Sequence, residues 1–172
     1  CACRCRNSKK NGTCRVTQRL LISDANILID MEKGGITRQL FQLDAVFAVP
    51  NTLYEEELRE EHPQFPELGL RTLELTEETV AWAAELVVRY RKTGASSNDL
   101  LALALARQEQ TTLLTGDKKL RGVAKAEGIP VHGTPWLMGQ MLDAEILTAQ
   151  QAKAAYDAMK AARSRLPWGE VE

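Results

Sequence analysis

Apolar positions along this chain fall into short runs separated by longer stretches with helical spacing. Residues 19–23 (RLLIS) form the first run, ended by Asp24, and ANILIDMEK continues at helical intervals until Gly34-Gly35. A short helix is predicted over 37–43, then a β-rich run over 45–49 (AVFAV) closed by Pro50. Residues 51–61 (NTLYEEELREE) read as an acidic helix, broken by the two prolines of HPQFPELG, and 70–75 as a short strand. The helix over 77–92 places Val80, Ala84, Val87 and Tyr90 at helical intervals and stops at Gly94. Residues 96–110 (SSNDLLALALARQEQ) make a strongly apolar helix, followed by the strand TTLLT, the helix GDKKLRGVAKAEG and a last strand in IPVHG. From Thr134 onward the pattern is helical again, with an apolar patch at Leu137, Met138, Met141 and Leu142 and an Ala-rich helix over 149–163. Strands of four to six residues alternating with helices predict an α/β domain: a mainly parallel sheet covered on both faces, with a helical C-terminal extension.

Composition changes this picture at one end. No apolar run approaches the roughly 20 residues that span a bilayer, so no membrane association is expected. The net charge of −1 hides a split: residues 1–15 hold five basic residues and no acid, so the rest carries −6. All four cysteines (Cys1, Cys3, Cys5, Cys14) lie in that leader. Their C-x-C-x-C-x₈-C spacing, with no nearby histidine, does not fit a zinc site. The leader reads as a disordered basic tail, or as a non-native segment ahead of a start at Val16. A cysteine-free body fits a reducing cytoplasm.

The chemistry lies in the acids. Open α/β sheets bind ligands outside the carboxyl ends of their strands. Asp24 follows the first strand, and Glu55, Glu56 and Glu57 lie one helical turn beyond Pro50. Asp99 opens the long apolar helix, and Asp117 follows TTLLT and Gly116. Each has an ordinary structural role open to it: Asp24 and Asp117 suit helix N-caps, and Asp99 completes an S-x-x-D box with Ser96. No capping requirement explains acids at successive strand ends, however. Clustered carboxylates raise one another's pKa unless a cation holds them together, and an oxygen-only ligand set points to Mg²⁺ or Mn²⁺.

These residues carry a resemblance. LLISDANILIDM, with Asp24 and Asn26, resembles the first motif of PIN-domain nucleases, and VPNTLYEEEL their second, a helix with one essential Glu. SSNDLLALALA, with Asp99, is similar to the third motif, and LLTGDKKLRGVA, with Thr115 and Asp117, to the fourth. The motifs run in order from about residue 19 to 133. Their layout is similar to that of VapC-type toxins of toxin–antitoxin pairs. The resemblance implies a three-layer α/β/α PIN-like domain over 16–133, with 134–172 packing on it or on a partner. It also implies metal-dependent hydrolysis of RNA in the cytoplasm, a small antitoxin partner and a homodimer.

In that reading Asp24, Glu56, Asp99 and Asp117 hold one or two Mg²⁺ or Mn²⁺ ions. Glu56 is chosen among its neighbours because it lies one turn after Leu53. Asn26 and Thr115 support the carboxylates by hydrogen bonds, and Lys118, Lys119 and Arg121 meet substrate phosphates or form an ordinary exposed face. His62 and His132 lie far apart and have no nucleophile motif. Trp82 is expected to pack or to lie at a dimer surface, and Trp136, Met138, Met141 and Leu142 to serve as core or interface. Two alternatives stand beside this one. An aspartate-dependent phosphatase would use D-x-D, where this chain has Asn26; an inactive PIN-like interaction module would have lost an acid, and all four are present.

Overall fold

Leu21 and Ile22 are adjacent and both buried, so the first strand is covered on both faces and shows no in–out alternation. The computed structural model describes residues 18–164 and Leu166; the basic leader, its cysteines and Val16 lie outside them. Five parallel strands, β1 (Arg19–Ser23), β2 (Ala45–Pro50), β3 (Arg71–Leu73), β4 (Thr112–Leu114) and β5 (Val131–His132), form one sheet in the order β3-β2-β1-β4-β5. Leu21 pairs with Phe47 on one side and Thr112 on the other. The first described strand is therefore central; the sheet builds outward through β2 and β3, then the chain crosses back to add β4 and β5. That return makes the β1–β4 boundary a topological switch point.

The helices follow from the apolar periodicities and their caps. They are α1 (Ala25–Lys33), α2 (Thr37–Leu40), α3 (Asn51–Leu53), α4 (Phe65–Leu68), α5 (Glu77–Arg89), α6 (Ser97–Gln108), α7 (Lys118–Ala126), α8 (Thr134–Asp143) and α9 (Ala149–Ala161). Helix α6 buries Leu100 and every residue from Ala102 to Ala106, and it packs on β1, β2 and β4 as the centrepiece of one face. Helix α9 packs on α1, where Gly34 permits the approach: a Cβ there would stand 2.6 Å from Met159 Cε and 3.4 Å from Ala155 Cβ. Helices thus flank an all-parallel sheet, as the sequence pattern predicts. Met138 and Met141 are core, and Leu142 is exposed. No helix among the described residues is long and apolar enough to cross a membrane.

Several boundaries move, each for a local reason. The segment HPQFPELG, expected to be only a break, contains α4. Pro66 lies in its first turn, where a missing N–H costs nothing, and Gly69 ends it at φ 119. The acidic helix expected over 51–61 is α for one turn and then a π-helix, Tyr54–Leu58, with Arg59 N–H bonded to Tyr54 O at 2.8 Å. In α5 the expected stripe at Val80, Ala84 and Val87 faces outward, with Val80 49% exposed, and Ala83 and Leu86 are buried instead. Trp82 packs under the Arg107 guanidinium, 4.2 Å from its ring centroid.

Candidate active site

The edge of the sheet at the switch point gathers the acids. Asp24 caps α1: Ile27 N–H donates to its Oδ1 at 2.9 Å, and its own N–H bonds Leu114 O at 3.0 Å, extending the β1–β4 pairing by one residue. Thr115, just past β4, donates its hydroxyl to Asp24 Oδ2 and accepts the Asp117 N–H at 3.0 Å. Asp117 in turn caps α7, its Oδ1 accepting from Lys119 N and Leu120 N at 2.7 and 2.9 Å. One hydroxyl thus links two acids that come from two different strands. Thr115 is thus hydrogen-bonded both to the Asp24 carboxylate and to the backbone of Asp117.

Asp24 is fully buried, and that burial dominates its electrostatics. Desolvation pushes its carboxyl up to about 7. The Thr115 hydroxyl and Ile27 N–H oppose the rise, while the charges of Asp99 and Asp30 add to it. Asp99 is thus within electrostatic reach of Asp24. It lies in the first turn of α6, where its side chain accepts from Ser96 N at 3.1 Å and completes the expected capping box.

Glu56 reaches the same region through a residue that motif reading passed over. Both Asn98 amide protons are used, donating to Glu56 Oε2 at 2.9 Å and to Glu57 Oε1 at 2.8 Å. Asn98 directly precedes Asp99, so it ties the π-helix to the start of α6. Glu55 instead pairs with Arg59. π-turns recur at functional sites because the extra residue re-aims side chains. The only signal for Asn98 in the sequence is its place inside SSND.

The remaining expected residues divide. Asn26 is exposed and lines a cleft with Asp117, but no hydrogen bond among the described residues joins it to the acids. Lys118 is exposed. Lys119 extends toward Gly94, ahead of α6, where a Cβ would stand 2.9 Å from its Nζ. Arg121 turns toward Gly133, where a Cβ would stand 3.0 Å from its guanidinium. His62 is buried, stacked on Phe65 at 5.1 Å and paired with Glu32 at 2.5 Å. His132 stacks on Trp136 at 4.2 Å.

The donor chemistry suits a hard divalent cation. A fully buried carboxylate stands near a second one, and neither makes an ion pair among the described residues. The four acids share one edge without forming a ready-made coordination cluster, since among the described residues no three His, Cys, Asp or Glu side chains stand close enough to hold an ion. Asp99 lies within electrostatic reach of Asp24; Asp117 is joined to Asp24 through Thr115, and Glu56 is joined to the start of α6 through Asn98.

A PIN-domain family model matches residues 20–171, which spans the sheet, the acid-bearing edge and both C-terminal helices. No curated protein matches the chain. The chain belongs to the PIN-domain family, whose members are typically nucleases that use divalent metal ions.

Proposed function

We propose that this protein is a Mg²⁺- or Mn²⁺-dependent endoribonuclease acting as the toxin of a toxin–antitoxin pair. The observation that carries the nuclease reading is the fully buried Asp24 carboxyl at the switch point, joined through the Thr115 hydroxyl to the backbone that presents Asp117. Asp24, Glu56, Asp99 and Asp117 would hold the ion. A divalent ion held there would supply an acidified water and positive charge against that developing on the phosphate. Thr115 orients Asp24 and fixes the backbone that presents Asp117. Asn98 holds Glu56 and Glu57 next to Asp99.

The toxin role rests on the motif resemblance. An antitoxin contact and a homodimer fit the exposed valines of α5, Val80 and Val88, at 49% and 69% exposure. A cytoplasmic location belongs to the same reading.

The test is cleavage of labelled RNA by purified protein with Mg²⁺ or Mn²⁺. Activity is expected to vanish with EDTA and to fall at least a hundredfold in Asp24→Asn. Equal cleavage by that variant would overturn the mechanism. A short adjacent reading frame whose product suppresses both toxicity and cleavage is the expected mark of the toxin role, and a product without effect on either would remove it.

A further inference from the structure

The C-terminal residues return to the acid-bearing edge, which no motif indicates. A cleft of about 320 Å³ opens beside Asp117, lined also by Asn26, Asp30, Lys33, Arg163 and Ser164. Its two cations come from opposite ends of the described chain. Lys33 ends α1, and Arg163 follows α9. Both are exposed, and neither makes an ion pair within 4.0 Å among the described residues, although Lys33 lies near enough to Asp30 to oppose the rise of its carboxyl.

Arg163 is held in place by its backbone. Its N–H bonds Lys160 O at 3.1 Å, and Ser164 N–H bonds Met159 O at 3.0 Å, the pattern of a left-handed helix terminus, with Arg163 at φ 56. Ser164 and Leu166 beyond it are buried, and Ser164 stands beside the buried Asp30 on α1. The turn is therefore anchored on both sides while the guanidinium stays in solvent. An acidic edge needs such cations if a polyanion is to lie along it. Arg offers a planar fork for phosphate oxygens, and Lys a point charge.

We propose that Lys33 and Arg163 form a phosphate clamp that holds an RNA backbone phosphate next to the one cleaved. The clamp rests on the ribonuclease reading and names two substrate-positioning residues for it. It fixes the strand beyond Asp117 and compensates for repulsion by the acids.

Arg163→Gly separates binding from folding, because glycine adopts this left-handed position without a Cβ penalty and leaves Tm unchanged or higher. In the double variant Lys33→Gln/Arg163→Gly, KM for metal-activated cleavage of a short single-stranded RNA is expected to rise about tenfold, with kcat within twofold. In an inactive Asp99→Asn background, Kd for the same RNA should rise by a similar factor. The slope of log K against log salt should shrink by about 0.7 for each phosphate contact removed. Arg163→Lys should restore most of the affinity. Wild-type protein that cuts RNA, alongside a double variant with unchanged Kd, KM and salt slope, would overturn the clamp alone. Wild-type protein that cuts no RNA would overturn the ribonuclease reading beneath it.

Discussion

Thr115 and Asp24 lie 91 positions apart in the chain, yet the threonine hydroxyl is the side-chain partner of the buried carboxylate. The same oxygen accepts the Asp117 N–H at 3.0 Å, so it coordinates the ends of β1 and β4 at the switch point. Four consequences of this site and its surroundings can be measured.

Removing the hydroxyl while keeping the shape tests the link. Thr115→Val leaves Asp24 Oδ2 and the Asp117 N–H without their partner. Activity should fall about 10–100-fold, the usual effect of losing a group that orients a metal ligand. Stability should fall by about 1–3 kcal/mol, since buried polar atoms lose their bonds. Thr115→Ser should recover most of both, as read by cleavage rate and thermal melts. Valine behaving like serine would show that the hydroxyl does not matter.

The raised pKa of Asp24 predicts a sign for stability against pH. The folded carboxyl titrates at about 7 and the unfolded one near 3.8. Between those values the native state holds a proton that the unfolded chain has lost, so stability falls as pH rises through that window and stays low above it. Asp24→Asn removes this penalty. In metal-free buffer the variant should melt near wild type at pH 4 and above it at pH 8. The gain should be about 1–4 kcal/mol, each kcal/mol raising Tm by roughly 2–4 °C. Added Mg²⁺ should stabilise wild type and not the variant. A wild-type melting temperature that climbs steadily from pH 4 to pH 8 in EDTA would contradict the burial argument.

The three adjacent glutamates are separable because they have different partners. Glu55→Gln should leave cleavage within about twofold, its carboxylate being engaged with exposed Arg59, where ion pairs contribute little. Glu56→Gln should cost at least about a hundredfold if it supplies a ligand, with metal affinity reduced in parallel. Asn98→Ala should give an intermediate loss by releasing Glu56 and Glu57. Metal titrations on each variant decide the assignment, and a loss confined to Glu55→Gln would reverse it.

The α1–α9 contact should show coupling between Gly34 and Met159. Met159→Ala empties buried volume and should cost about 2–5 kcal/mol. Gly34→Ala places a methyl against Met159 Cε and should destabilise on its own, but less in the Met159→Ala background. A coupling of about 0.5 kcal/mol or more in a denaturant double-mutant cycle is expected. Strict additivity would show that the two helices do not meet there in solution.

Much of this molecule is legible from local signals. Uninterrupted apolar runs such as RLLIS and AVFAV mark strands buried on both faces. Asp24, Asp117 and the Ser96–Asp99 box mark helix starts, because capping acts over two or three residues. The order of those signals was sufficient to indicate a parallel α/β sheet and the PIN family. Longer-range contacts decided the rest. Which face of α5 is buried depends on what packs against it, so Ala83 and Leu86 are inside while Val80 is not. The hydrogen bond of Thr115 to Asp24, the turn of Glu56 toward Asn98 and the return of Arg163 beside Asp117 join residues from 42 to 91 positions apart. Periodicity and caps carry no information over such separations. Strand order and burial supply it, because only the folded chain removes these carboxylates from water and determines which distant groups remain to partner them.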